Sequence, residues 1–246
     1  MAGAPKRVLV TRPEPGASET ARRLETLGFD AHKLPLHEIR TLPVDAGVIP
    51  DDVATVAITS ANAIRHAPQD VINRLKHLPC FAVGASTARS ATDAGFSNVI
   101  AGGGDAEGLA ETIAGRRPSL PLAYLCGRVR RPAFEKRLAH EGIPIHAVET
   151  YDTVGLSYTA EEVLNLTTRH PIDFALVYSA NAAEILAATI RRPQLENLFE
   201  NTLFACISDR VAQALGGWPR GRIRIAREPS ETALLYLLGH TADGAP

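Results

Sequence analysis

Residues 59–63 read TSANA and residues 178–182 read YSANA, and each pentapeptide directly follows a short apolar run, VATVAI in one case and IDFALV in the other. The likeness extends well beyond the pentapeptide. VAITSANAI matches LVYSANAAE, CFAVGASTARSA resembles FACISDRVAQAL, and GDAEGLAETI parallels PSETALLYLL. ETLGFDAHKL resembles AHEGIPIHAV, each preceded by an apolar run, an arginine and a helical pattern. Each pair alone is weak, but a shared order of elements is the mark of duplication, and it requires one architecture that can be built twice.

That architecture is read from periodicity. Apolar or β-branched runs of four to seven residues alternate with helical patterns of ten or more, which is how parallel sheets are assembled from βα units. The strand candidates are KRVLVT, FDAHKLPL, VATVAIT, PCFAVG, SNVIA, PLAYLC, IPIHAVET, IDFALVY, TLFACIS and GRIRIA. The helix pattern ASETARRLETLG closes on Gly28, a glycine placed to cap it. A chain of 246 residues is long enough to hold either two small cores or one large one.

Several function classes are disfavoured. The formal net charge of -1 provides no global basic field, and aromatic residues at 5% leave few stacking platforms for single-stranded bases. Nucleic-acid and membrane partners are therefore not expected. The N-terminal stretch MAGAPKRVLV is too short in apolar residues for a signal sequence or a span, so a cytoplasmic protein is expected. Cys80, Cys126 and Cys206 lie far apart in apolar runs and read as small buried hydrophobes rather than a disulfide framework. The eight histidines form no i,i+3 or i,i+4 pair, and neither CxxC nor HExxH occurs, so no metal or other cofactor is expected.

The turns SANA, GASTA and GDAEG sit where a strand ends and a helix begins. Their Ser, Thr, Asn and Asp side chains are the types that cap free helical N–H groups, and capping alone accounts for any one of them. The same edge of a parallel sheet is also where open α/β folds receive ligands, and free N–H groups favour anions. The cluster GGGDAEG does not satisfy GxGxxG, because Glu107 stands three positions after Gly104, and no GxxxxGK[ST] is present. The stretch CGRVRRPAFEKRLAHEG places Arg128, Arg130 and Arg131 just before a helix that Pro132 suits as a first residue. Cations there oppose the helix dipole. An anionic ligand would relieve that conflict, and so would pairing with Glu135 or Glu141 or simple solvation. Arg12, after the first strand and before Pro13, reads the same two ways.

Taken in order, VLVTRPEP, LPLHEI, TSANA, FAVGAST, GDAEGLA, LCGRVRRPAFEKRL and VETYDTV resemble the uroporphyrinogen-III synthase family over essentially the whole chain. The resemblance implies an α/β protein of two flavodoxin-like parallel-sheet domains joined by a two-stranded linker. Residues 1–36 with 154–246 would form the first domain, 37–49 and 148–153 the linker strands, and 50–147 the second domain. TSANA and YSANA would then face each other across a cleft. The implied enzyme is a cyclising hydro-lyase of haem biosynthesis, which closes hydroxymethylbilane with inversion of its last ring. The alternative is a non-catalytic cleft-type binding protein or an inactive paralogue. By the same resemblance Tyr151 is the candidate acid, against its reading as an ordinary half-buried strand tyrosine. The candidate substrate-binding residues are Arg12, Thr59, Ser60, Asn62, Gly84, Ser86, Thr87, Gly104, Asp105, Gly127, Arg128, Arg131, Ser179, Asn181 and Ser208. Many family members carry Gly-Pro-Thr-Thr-Ala where this chain has Ser208, Asp209, Arg210, Val211 and Ala212. The expected partners are the polycarboxylate tetrapyrrole and, transiently, the preceding pathway enzyme, with the chain acting as a monomer.

Overall fold

The computed structural model describes residues 4–239, so the first three residues of the N-terminal stretch lie outside the described part. Its strands are β1 (Arg7–Val10), β2 (Asp30–Lys33), β3 (His37–Thr41), β4 (Thr55–Ile58), β5 (Cys80–Ala82), β6 (Val99–Ala101), β7 (Leu122–Gly127), β8 (Ile145–Gly155), β9 (Phe174–Val177), β10 (Leu203–Cys206) and β11 (Ile223–Ile225). Its helices are α1 (Gly16–Thr26), α2 (Ala61–Arg65), α3 (Gln69–Leu75), α4 (Ala85–Asp93), α5 (Ala106–Arg116), α6 (Ala133–His140), α7 (Ala160–Leu166), α8 (Ala180–Ile190), α9 (Glu196–Phe199), α10 (Asp209–Leu215) and α11 (Glu231–Gly239). None of them is long and apolar enough to cross a membrane.

The chain divides into two compact units, one formed by Met1–Glu38 with Val154–Pro246 and the other by Ile39–Thr153. A five-stranded sheet ordered β2-β1-β9-β10-β11 lies in the first. In the second the order is β8-β7-β4-β5-β6, with β3 added beyond β8. The duplicated motifs equate β9 with β4, β10 with β5, and β2 with β8. On that basis the two five-strand orders coincide element by element, although the chain enters the repeat at a different strand in each unit. The strand pairs β1–β2, β1–β9, β9–β10 and β10–β11 are parallel in the first unit. In the second, β4–β5, β4–β7, β5–β6 and β7–β8 are parallel too.

Parallel strands covered by helices on both faces read as continuous apolar runs, and alternate residues go to opposite cores. In the first unit Val8, Val10, Phe174 and Leu176 pack with Ala17 and Leu24 of α1 and Leu234 and Leu238 of α11. Leu9, Ala175, Val177 and Phe204 point the other way, onto Leu186 and Ile190 of α8 and Val211 and Leu215 of α10. The second unit repeats the plan. Val56, Ile58, Ala123 and Leu125 meet Ala63 and Ile64 of α2 and Val71 and Leu75 of α3, while Ala57, Phe81, Leu122 and Tyr124 meet Leu109 and Ile113 of α5 and Phe134 and Leu138 of α6. All three cysteines are free and buried in these cores.

Gly28 and Gly142 close equivalent helices, α1 and α6, with φ of +84° and +69°. At Gly28 the N–H groups of Gly28 and Phe29 bond the carbonyls of Glu25 and Leu24. Gly142 and Ile143 do the same to Ala139 and Leu138. These are Schellman ends, which need a residue that adopts positive φ cheaply, and they turn the chain into β2 and β8. β8 is one continuous eleven-residue strand, so residues 148–153 extend the sheet, with Val148 in the core.

Candidate active site

In an open parallel sheet a ligand crevice forms beyond the carboxyl ends of two adjacent strands whose connections leave in opposite directions. That point lies between β4 and β7 in the second unit and between β1 and β9 in the first.

In the second unit the turn after β4 begins with Thr59, whose hydroxyl is 2.8 Å from the Tyr124 hydroxyl. Ser60 caps α2 by accepting from the Asn62 N–H at 3.2 Å. Tyr151 approaches the same turn from β8. Its residue is 9% exposed, and burial raises the phenol above its ordinary value, partly countered by the Ser60 hydroxyl. The neighbouring Thr150 is fully buried and donates to the Ala63 carbonyl at 2.8 Å, which ties this part of β8 to α2. The His66 ring lies 6.1 Å from that of Tyr151, with its Nδ1 2.8 Å from Thr41 Oγ1. Burial, then the charge of Arg65, lowers the His66 pKa, so the imidazole is neutral at pH 7.

The arginine loop after β7 is organised by carboxylates of its own unit. Arg130 pairs with Glu135 and, at 2.7 Å, with Glu149, and it donates to the Gly127 carbonyl at 3.1 Å. Burial opposes its charge, but the two glutamates outweigh that and raise its pKa. Arg128, more exposed at 57% of its side chain, reaches Glu149 at 3.3 Å and Asp152 at 3.7 Å. Arg131 is exposed. The conflict between these cations and the α6 dipole is thus met in large part inside the unit.

At the next turns, α4 starts from Gly84 with no side-chain cap, leaving first-turn N–H groups beside the exposed Ser86 and the buried Thr87. Gly104 adopts a φ of +96°, and Asp105 caps α5 by accepting from Gly108 N–H at 2.8 Å. Asp105 therefore has a complete structural role without any ligand.

In the first unit Ser179 caps α8 through the Ala182 N–H at 3.1 Å, whereas Ser208 precedes α10 without making a side-chain cap bond. Asn181 Nδ2 donates to His37 Nε2 at 2.7 Å. His37 is 4% exposed, and burial lowers its pKa. Arg12 lies with its guanidinium carbon 4.9 Å from the Tyr178 ring centroid and its Nη1 3.4 Å from Glu231. Thr20 and Arg23 also bond Glu231. The Tyr178 hydroxyl is sealed from solvent without a hydrogen bond of normal geometry, and burial raises its pKa against the nearby Thr20 and Arg12.

Of the residues singled out from the sequence, Tyr151 lies within β8, while Thr59, Ser60, Asn62, Gly84, Ser86, Thr87, Gly104, Asp105, Gly127, Arg128 and Arg131 stand at strand ends, or at the helix starts that follow them, in the second unit. Arg12, Ser179, Asn181 and Ser208 stand at those of the first. Tyr124, His66, Tyr178, Glu149 and Glu231 were not singled out. Only Tyr178 had a local signal, since it occupies the pentapeptide position that Thr59 fills in the other copy; Tyr124 and Glu149 reach their sites through sheet pairing, and His66 and Glu231 through the packing of α2 and α11.

The fold is shared with solved proteins. Uroporphyrinogen-III synthetase from Helicobacter pylori superposes with a TM-score of 0.68 at 18% identity, over 95% of this chain and 98% of that one. A mutant uroporphyrinogen III synthase from Thermus thermophilus gives 0.57 at 19% identity, over 95% and 96%. The family described as uroporphyrinogen-III synthase HemD matches residues 18–236. With that match running from the start of α1 into α11, the chain belongs to the uroporphyrinogen-III synthase family.

Proposed function

We propose that this protein closes hydroxymethylbilane to uroporphyrinogen III, inverting the last ring, and acts as a hydro-lyase. The observation that carries the reading is the seat of Tyr151 at the β4/β7 switch point, a buried phenol among uncapped or singly capped helix starts. In the net reaction the terminal carbon loses its hydroxyl and bonds to the α carbon of the last ring that already bears a bridge; that bridge bond breaks and re-forms at the ring's free α carbon, which gives up its proton, so one water leaves and the ring is inverted. Tyr151 lends its proton to the departing hydroxyl and regains one from the pyrrole carbon that was free before the bridge re-formed on it. Burial keeps that proton on the phenol at neutral pH.

The substrate carries eight carboxylates and can also close without inversion, so the main task is to hold one folded shape. The backbone N–H groups at Gly84 and Thr87, the N–H and hydroxyl of Ser86, the side chains of Thr59, Ser60 and Asn62, and Arg128 with Arg131 are proposed to receive carboxylates in the second unit, whereas the Gly104 N–H is taken by the Val83 carbonyl and the Asp105 carboxylate by the Gly108 N–H. Arg12, Ser179, Asn181 and Ser208 are proposed to do so in the first. The two units are read as flavodoxin-like domains, residues 1–36 with 154–246 and residues 50–147, joined by the strands 37–49 and 148–153. A cytoplasmic monomer that meets the preceding pathway enzyme transiently completes the proposal. The test is to supply freshly made hydroxymethylbilane to the purified protein and determine the isomer after oxidation. Type III product supports the reading, and a mixture identical to the enzyme-free type I control overturns it.

A further inference from the structure

Tyr151 belongs to β8, yet its hydroxyl interacts with Ser60 in the turn after β4, and β7 lies between those two strands. Neighbouring strands are about 4.8 Å apart, so a tyrosine must lay its ring across the intervening strand to reach the next one. The residue crossed is Gly127, which pairs with Tyr151 at a register irregularity between Cys126 and Gly127. A Cβ placed on Gly127 would stand 2.6 Å from the Tyr151 Cζ, 2.8 Å from Cε2 and 3.0 Å from the hydroxyl oxygen. Real side-chain carbons do not approach so closely.

We propose that Gly127 is a positioning residue for the reaction: its missing side chain is the gap through which the Tyr151 ring crosses β7 and delivers its hydroxyl to the β4 turn. This role differs from contact with substrate, and it rests on the reading of Tyr151 as the acid. The backbone of Gly127 lies outside the left-handed region, so the Tyr151 ring alone is what an alanine there would have to displace. The ring has little room to yield, because His66 stands near it and Thr150 pins the strand to α2. An added methyl group therefore turns the ring away from Ser60, and the phenol moves toward solvent.

The experiment compares Gly127→Ala, Tyr151→Phe and the double variant, with kcat and KM separated. Gly127→Ala should lower kcat by about 10- to 100-fold, the cost of a displaced catalytic group, while KM changes by less than about threefold. In the Tyr151→Phe background the same substitution should cost less than about threefold more, because the hydroxyl it displaces is already gone. NMR of protein labelled at tyrosine Cζ, with the resonance assigned from Tyr151→Phe, should show the Tyr151 titration in Gly127→Ala falling toward the ordinary phenol value. Full additivity of the two losses, or an unmoved Tyr151 resonance with unchanged kcat, overturns the proposal. If Gly127→Ala does not fold, Tyr151→Ala combined with it should restore folding; failure of that rescue also overturns it. Wild-type turnover in Tyr151→Phe would sink the acid assignment while the Tyr151 resonance still decides whether Gly127 seats the ring.

Discussion

The two units share a strand order and a pentapeptide, but their switch points are furnished differently. Beyond β4 and β7 a phenol crosses a glycine to reach a capping serine, and the exposed Arg128 stands beside it. Beyond β1 and β9 the equivalent ground holds Arg12 over the Tyr178 ring, closed by Glu231, Thr20 and Arg23. One copy presents a buried phenol; the other presents a cation paired with its own carboxylate. The difference teaches that duplication preserves the backbone crevice, whose N–H groups come from the fold, while the side chains placed over it are free to diverge.

The largest expected effect separates the two crevices directly. Tyr151→Phe should lower turnover by roughly 10- to 1000-fold, the range of a general acid, and still give type III product. Wild-type speed in that variant would move the chemistry to the arginine loop. Because burial raises the Tyr151 pKa, the phenol is protonated below its ordinary value of 10.0 and beyond, so turnover should be level through neutral pH and decline only above that value. A decline near neutrality in the pH profile of kcat would contradict this.

Next in size is a difference in alkaline stability. Burial pushes the thiols of Cys80 and Cys126 in the second unit and Cys206 in the first from 9.0 up to about 12. A raised folded pKa gives stability that is fully present below pH 9.0 and lost as pH rises toward about 12. At about pH 10 each thiol should remove about 1 kcal/mol, so the second unit should lose twice as much as the first. Hydrogen exchange resolved by unit, at neutral and alkaline pH, checks the ratio, and equal losses would break it.

Smaller effects follow for single donors. Arg128→Ala and Ser86→Ala should each cost on the order of 1 to 2 kcal/mol of transition-state stabilisation, read from kcat/KM. A collapse of activity in either would show that the anion contacts are not distributed. The smallest contrast lies within the first unit. Ser179→Ala removes a cap that is made and should cost about 1 kcal/mol in urea unfolding, whereas Ser208→Ala removes none and should leave the midpoint nearly unchanged. Lost activity in Ser208→Ala without lost stability would mark it as a substrate contact.

The alternation of apolar runs and helical patterns was enough to read an α/β fold, because parallel strands buried on both faces must be continuously apolar and the helices between them must not be. The repeated pentapeptides located the strand ends, since capping chemistry is local: Ser60 and Ser179 cap the helices that follow them, as their position after each apolar run implies. Gly28 was legible for the same reason. What the arginines pair with was not legible. Glu149 is 19 residues from Arg130, Glu231 is more than 200 from Arg12, and only the sheet order, with α11 packed on it, brings them together. The crossing of Gly127 by Tyr151 was equally hidden, although both residues stood among the candidates. It depends on a one-residue shift in register between β7 and β8, and register is a property of two paired strands that no single stretch of chain contains.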